Sequence, residues 1–230
     1  MNLVLFDIDG TLLWTDGAGR RAIHTALSEV FGTTGPEHHW FDGKTDPQIV
    51  RELMSLAGLE HGLVEMHLER LFARYLERLA AELSAPGHEP RLFPGIPELL
   101  DALESRDDVV LGLLTGNLAD GARAKLASVG IDPDRFLIGA YGSDHADRPE
   151  LPAIAIRRFR ERFGREIAGD RVVVIGDTPA DLTCGRGVGA RAIGVATGRY
   201  SVDDLRAHEA HAVFADLSDT TAVLAAILEP

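Results

Sequence analysis

Two aspartates with one residue between them, Asp7 and Asp9, close the first apolar run of the chain, Leu3-Val4-Leu5-Phe6-Asp7-Ile8-Asp9-Gly10-Thr11-Leu12. In an extended strand alternate side chains share a face, so both carboxylates point one way while Ile8 turns to the other. Carboxylates held that close repel one another unless a cation or a shared proton compensates. Gly10 lets the backbone approach a ligand closely, and Thr11 can cap whatever follows. Such a strand end asks for a hard dication.

Asp7 to Leu12 resembles the first signature of the haloacid dehalogenase (HAD) superfamily, D-x-D-G-T-[LV], at every position, and three further stretches follow in that superfamily's order. The resemblance implies Asp7 as the nucleophile, attacking phosphorus in line to form an aspartyl phosphate. It implies Asp9 as general acid and base, protonating the leaving oxygen and then deprotonating water. Magnesium is implied as cofactor, bound by the Asp7 carboxylate and the Asp9 backbone carbonyl.

Leu113-Leu114-Thr115-Gly116-Asn117 resembles the second signature. There the Thr115 hydroxyl and the Gly116 N–H are expected to donate to a phosphoryl oxygen, while Asn117 lines the pocket or caps the next helix. The third signature is a single basic residue, usually lysine. Lys44 and Lys125 are the only lysines, and neither stands at that place. Arg148, in Asp147-Arg148-Pro149, does, and is expected to neutralise both phosphate and Asp7, as a planar fork rather than a point charge. Val174-Ile175-Gly176-Asp177-Thr178-Pro179-Ala180-Asp181 resembles the fourth signature, G-D-x-x-x-D. Asp177 is expected to complete the magnesium shell. Asp181 reads either as a metal-site residue or as the acidic third residue of a helix capped by Thr178, and both roles are compatible.

The elements that must position these residues are legible as short apolar runs at 2–9, 109–115, 136–141, 172–177 and 192–196, with a weaker one at 213–215. Helical patterns at 95–104, 119–128, 151–163, 180–187 and 219–228 lie between or after them. Apolar strands alternating with helices predict an α/β fold, a Rossmann-like parallel sheet covered on both faces, with ligands at the carboxyl ends of the strands. Residues 16–85 are purely helical in pattern: one helix at 19–31, one with Asp46 as N-cap and Pro47 in its first position, and one at 62–83. The expected organisation is an HAD-like core of residues 1–15 and 86–230 with an inserted helical cap domain at 16–85, hinged near 14–17 and 84–91.

Apolar and charged fractions of 45% and 26% are those of a globular protein. A net charge of −13 repels nucleic acid and anionic membranes, so any phosphate site has to be built locally. No apolar stretch reaches membrane-spanning length, and Met1 leads straight into a strand rather than a signal segment. The single cysteine, Cys184, excludes an internal disulfide and fits a reducing cytoplasm. A cytoplasmic monomer or homodimer is expected, with a small phosphorylated metabolite as its partner and neither nucleic acid nor membrane.

In the superfamily the cap selects the substrate. Gly43-Lys44-Thr45-Asp46 and residues 17–22 resemble the phosphoglycolate-phosphatase-like members. This implies phosphoglycolate as the leading substrate, with Lys44 and Arg20 meeting a second anionic group. Trp14 either walls the pocket or packs the hinge; His38-His39-Trp40 reads as a surface loop and Cys184 as packing. A dehalogenase has no need of an acid at Asp9, and a phosphonatase would rest on Lys44 alone. A phosphohexose mutase-like phosphotransferase would share every core residue, and an inactive HAD-fold binding protein has only the Arg148 substitution in its favour. The expected function is magnesium-dependent phosphatase.

Overall fold

A computed structural model describes residues 1–229. In chain order, β1 (Asn2–Phe6) and β2 (Leu13–Trp14) lead into α1 (Ala18–Phe31), α2 (Asp46–Leu56) and α3 (His61–Leu83). Next come β3 (Arg91–Leu92), α4 (Ile96–Glu104), β4 (Val109–Thr115), α5 (Ala119–Ser128), β5 (Ile138–Tyr141) and α6 (Leu151–Phe163). The chain continues through β6 (Val172–Gly176), α7 (Pro179–Cys184), β7 (Arg191–Val195), α8 (Val202–Arg206), β8 (Ala212–Phe214) and α9 (Thr220–Leu228).

Every residue of β1 is buried because the strand lies in the middle of a six-stranded sheet, ordered β5-β4-β1-β6-β7-β8 and parallel throughout. Its side chains alternate between two cores, as the period of a strand requires. Val4 and Phe6 join α4, α5 and α9 through Leu99, Leu126 and Val223, whereas Leu3 and Leu5 join α6 through Leu151, Ala155 and Phe159. The parallel α/β sheet covered on both faces is the architecture expected from the sequence.

β1 and β6 end earlier than their apolar runs. β1 stops at Phe6: Asp7 N–H makes one last bond to Ile175 O, at 2.9 Å, and the chain then turns out of the ladder. The Ile8 carbonyl accepts from Thr11, Leu12 and Leu13 in that turn, and Gly10 supplies its φ of 86°. Asp7 and Asp9 therefore project from a loop at the carboxyl edge rather than from the strand, and Asp177 likewise follows the end of β6.

The helices of residues 16–85 pack around their own apolar cluster, in which Ala22, Ile23 and Leu27 of α1 meet Val50, Leu53 and Met54 of α2 and Leu71, Tyr75 and Leu79 of α3. The entering and leaving chains pair as an antiparallel ribbon, Leu13 with Leu92 and Trp14 with Arg91, which the sequence pattern did not predict. α8 was also unpredicted; Ser201 and Asp204 form a capping box at its start.

One cap assignment is corrected. The N-cap of α2 is Thr45, whose Oγ1 accepts the Gln48 N–H at 3.2 Å, and Asp46 is the first helical residue. A carboxylate in that first turn is free to reach outward. Asp46 Oδ2 accepts the Leu118 N–H at 2.9 Å while its own N–H donates to Gly116 O at 2.8 Å, stitching α2 to the loop after β4.

Burial raises the Asp46 carboxyl from 3.8 to about 6, against the opposing pull of Lys125 and the Leu118 N–H. A carboxyl whose pKa rises on folding binds its proton more tightly when folded, so stability is lost as pH rises from about 4 through 6. Asp46→Asn is predicted to match wild type near pH 4 and to exceed it at pH 7.5 by up to about 3 kcal/mol, by urea unfolding. A stability difference independent of pH would contradict this account.

Candidate active site

The central strands bring their chemistry to one edge. Asp7 follows β1, Thr115 ends β4, Asp177 follows β6, and Arg148 comes from the turn between β5 and α6; all four are buried. One terminal nitrogen of Arg148 lies 3.1 Å from Asp7 Oδ1, pairs with Asp181 Oδ1 and donates to Leu114 O at 3.3 Å. Its Nε–H is buried without a partner among the described residues. Asp181 Oδ2 accepts from Thr178 N–H at 3.0 Å and Thr178 Oγ1 at 2.6 Å, completing a capping box at α7. The same carboxylate thus caps a helix and faces the arginine. Thr11 Oγ1 donates to Asp177 Oδ1 at 3.2 Å.

Asp7, Asp177 and Asp181 each offer an oxygen, all within 4.8 Å of one another. Burial pushes Asp7 up to about 6; Arg148 pulls it down, and Asp181 and Asp9 push it up further. Asp177 is driven well above the usual carboxylate range by burial, then by Asp181 and Asp7. Burial works against the charge on Arg148, but Asp181 and Asp7 outweigh it and hold the guanidinium protonated. Three hard oxygen donors in excess of one cation fit a divalent metal of the oxygen-seeking kind. A Cβ at Gly10 would collide with the Asp177 carboxylate, so only glycine lets the first loop lie against that donor.

The Asp9 carboxylate stands outside this triad. Its Oδ2 accepts from Asn117 Nδ2 at 2.8 Å and from Lys125 Nζ at 2.6 Å. Lys125 Nζ also donates to Asn117 Oδ1 at 2.6 Å, and Asn117 Nδ2 donates to Thr115 Oγ1 at 2.8 Å. Gly116 packs with its carbonyl on the Asp46 N–H and its α-carbon against the backbone of Lys44, leaving no room for a side chain. Sequence reasoning missed Lys125, having weighed it only for the third signature. The available signal was its place on the inward face of α5, beside Ala122 and Leu126.

Arg20 and Lys44 line the same cavity, about 580 Å³, as Asp7 and Arg148. Both are engaged: Lys44 Nζ lies 2.5 Å from Glu52 Oε2, and Arg20 donates to the carbonyls of Glu37 and His39. Trp14, Trp40 and Phe41 also line this cavity. His39 Nε2 sits 2.6 Å from the same Glu52 oxygen, and Cys184 is buried, its thiol pushed up to about 12 by burial.

Residues 4–186 match the family model described as haloacid dehalogenase-like hydrolase. The chain belongs to this family. A 5'-nucleotidase of Pseudomonas aeruginosa is 29% identical to this haloacid dehalogenase-like hydrolase over 221 residues, covering 96% of this chain and 94% of the relative. A phosphoglycolate phosphatase of Aquifex aeolicus is 26% identical over 193 residues, 83% of each chain. A hydrolase from Pseudomonas syringae has the same fold, with a TM-score of 0.73 at 21% identity over 97% of this chain and 98% of its own. With phosphatases as its relatives, the haloacid dehalogenase-like chain is an enzyme of the phosphoric monoester hydrolase type. Among the described residues, no helix is long and apolar enough to cross a membrane.

Removing Arg148 leaves Asp7 and Asp181 buried without their cation. Arg148→Met in this haloacid dehalogenase-like hydrolase is predicted to cost about 3–5 kcal/mol of unfolding free energy at pH 7.5 in metal-free buffer. The loss should shrink at pH 5, below the value of about 6 at which Asp7 takes up its proton. A neutral effect at pH 7.5 would mean that the cluster does not depend on the arginine.

Proposed function

We propose that this chain is a magnesium-dependent phosphatase of small phosphorylated metabolites that works through an aspartyl phosphate on Asp7. One observation carries the reading: a buried carboxylate 3.1 Å from a buried arginine whose Nε–H has no partner, on a cavity open to a ligand. A phosphate dianion offers that free N–H an acceptor and the guanidinium a second charge.

Arg148, the Thr115 hydroxyl and the Gly116 N–H orient the phosphoryl group over Asp7. The Asp7 carboxylate attacks phosphorus as the bond to the leaving oxygen breaks, and Asp9 gives that oxygen its proton. Water then attacks the aspartyl phosphate, loses its proton to Asp9, and frees Asp7. Magnesium held by Asp7 and Asp177, with the Asp9 carbonyl and Asp181 contributing, would supply positive charge to the carboxylates and phosphoryl oxygens. Lys125 and Asn117 hold the Asp9 carboxylate in place through its Oδ2. Residues 16–85 act as a cap, a reading supported by Trp40, Phe41, Ile49 and Tyr75 lining the same cavity as Asp7.

The relatives' names point to different leaving groups, a nucleoside and glycolate. Phosphoglycolate needs a cation for its carboxylate, and the residues expected to provide one, Lys44 and Arg20, are engaged by Glu52 and by backbone carbonyls. It remains the small-substrate end of the assay panel.

Hydrolysis of p-nitrophenyl phosphate is expected with magnesium, to vanish in EDTA, and to return when magnesium is restored. Asp7→Asn should remain folded and fall to background; activity surviving in that variant would remove Asp7 as the nucleophile. Lys125→Met is predicted to lower kcat by roughly ten- to a hundredfold, with KM changed much less, because it unseats a general acid worth at least that much. A change confined to KM would instead assign Lys125 to substrate binding.

A further inference from the structure

Asp7 and Arg148 line a cavity of about 580 Å³, within the roughly 300–1,000 Å³ that encloses a drug-sized ligand. A phosphate ester with a two-carbon leaving group would leave most of that volume to water. Part of its lining is aromatic. Trp14 comes from the ribbon where the chain enters the helices, and Trp40 and Phe41 from the loop before α2. Trp40 and Trp14 are 58% and 40% exposed although they line a cavity, so both leave surface open to a ligand.

Two of the three aromatics carry an arginine over the ring, and the third has one as its strand partner. The Arg199 guanidinium lies 3.5 Å from the centre of the Trp40 ring, Arg20 lies 3.7 Å from that of Phe41, and Arg91 is paired with Trp14 across the ribbon. Rings backed by guanidinium planes form a surface on which a flat heteroaromatic ring stacks.

The cations of this cavity are mostly committed. Lys125 is paired with Asp9, Lys44 with Glu52 and Arg199 with Asp42, and Arg20 donates to carbonyls. Apart from Arg148 beside the nucleophile, only Arg91, at the rim, has no bonded partner among the described residues. The cavity therefore keeps free positive charge for one phosphate and offers ring surface, rather than a second anion site, in the rest of its lining.

We propose that the substrate is a nucleoside 5'-monophosphate, its base stacked at Trp40 and Trp14 and its phosphate on Asp7 and Arg148. The inference rests on the phosphatase reading and narrows its leaving group. The phosphorus–O5' bond breaks as Asp7 attacks, and the nucleoside departs with the proton from Asp9 on O5'. Water then releases inorganic phosphate, so no co-reactant beyond water is consumed.

Phosphate release from UMP and AMP should be compared with release from ribose 5-phosphate, which keeps the phosphate and the pentose and lacks the base. For wild type, kcat/KM on the better nucleotide is expected to exceed that on ribose 5-phosphate by roughly tenfold or more. Trp40→Ala should collapse that ratio by roughly five- to a hundredfold, the usual worth of one stacked base, and Trp40→Phe should restore most of it. Equal rates on nucleotide and sugar phosphate, or a ratio untouched in both Trp40→Ala and Trp14→Ala, would overturn the inference. If ribose 5-phosphate and p-nitrophenyl phosphate are still hydrolysed in an Asp7-dependent way, only the base site has failed. If nothing is hydrolysed, the phosphatase reading has failed and this inference with it.

Discussion

The carboxyl edge of the sheet is organised by the cost of burying three aspartates beside one arginine. Parallel strands deliver their ends to the same side, so Asp7 and Asp177 must meet there, and the capping geometry of α7 brings Asp181 up to them. Carboxylates buried together repel and lose their hydration. Several donors meet that cost: Arg148 between Asp7 and Asp181, Thr178 on Asp181, Thr11 on Asp177. These contacts leave the cluster negative rather than neutral, as suits a site that takes up a dication and a phosphoryl group.

A second polar network runs beside the first without merging into it. Asp9 leaves the triad and joins Lys125, Asn117 and Thr115. Asp46 lies next to that network: it enters from α2, bonds the Leu118 N–H and feels the Lys125 charge. The candidate nucleophile and the candidate general acid thus sit in different hydrogen-bond networks two residues apart, although the Asp9 charge still raises the Asp7 carboxyl.

The six strands of the sheet, their order in the chain and the polar residues that meet at its carboxyl edge were legible because each is written locally, as an apolar run and the polar residues at its end. Arg148 could be found without its usual lysine because its position between strand and helix is a local fact. Lys125 was not legible, since what it does depends on α5 packing its inner face under the Asp9 loop, a relation between residues far apart in the chain. Thr45 displaced Asp46 as N-cap for a similar reason: both can cap, and only the long-range bond from Leu118 claims the Asp46 side chain. The coupling of Arg199 to Trp40 and Asp42 joins residues more than a hundred positions apart, and no periodicity carries it.

The small ribbon of β2 and β3 pins together the two points at which the helical segment leaves and rejoins the sheet. To the core, everything between Trp14 and Arg91 is a closed loop whose ends are already fixed. The chain entropy of such a loop grows only with the logarithm of its length, about 0.6 kcal/mol for each doubling. Helices could be lengthened or shortened there at little cost in chain entropy to the sheet, so long as the bonds of Thr45 and Asp46 to the core are kept. The joint makes the catalytic edge and the wall opposite it separable inheritances, free to diverge at different speeds.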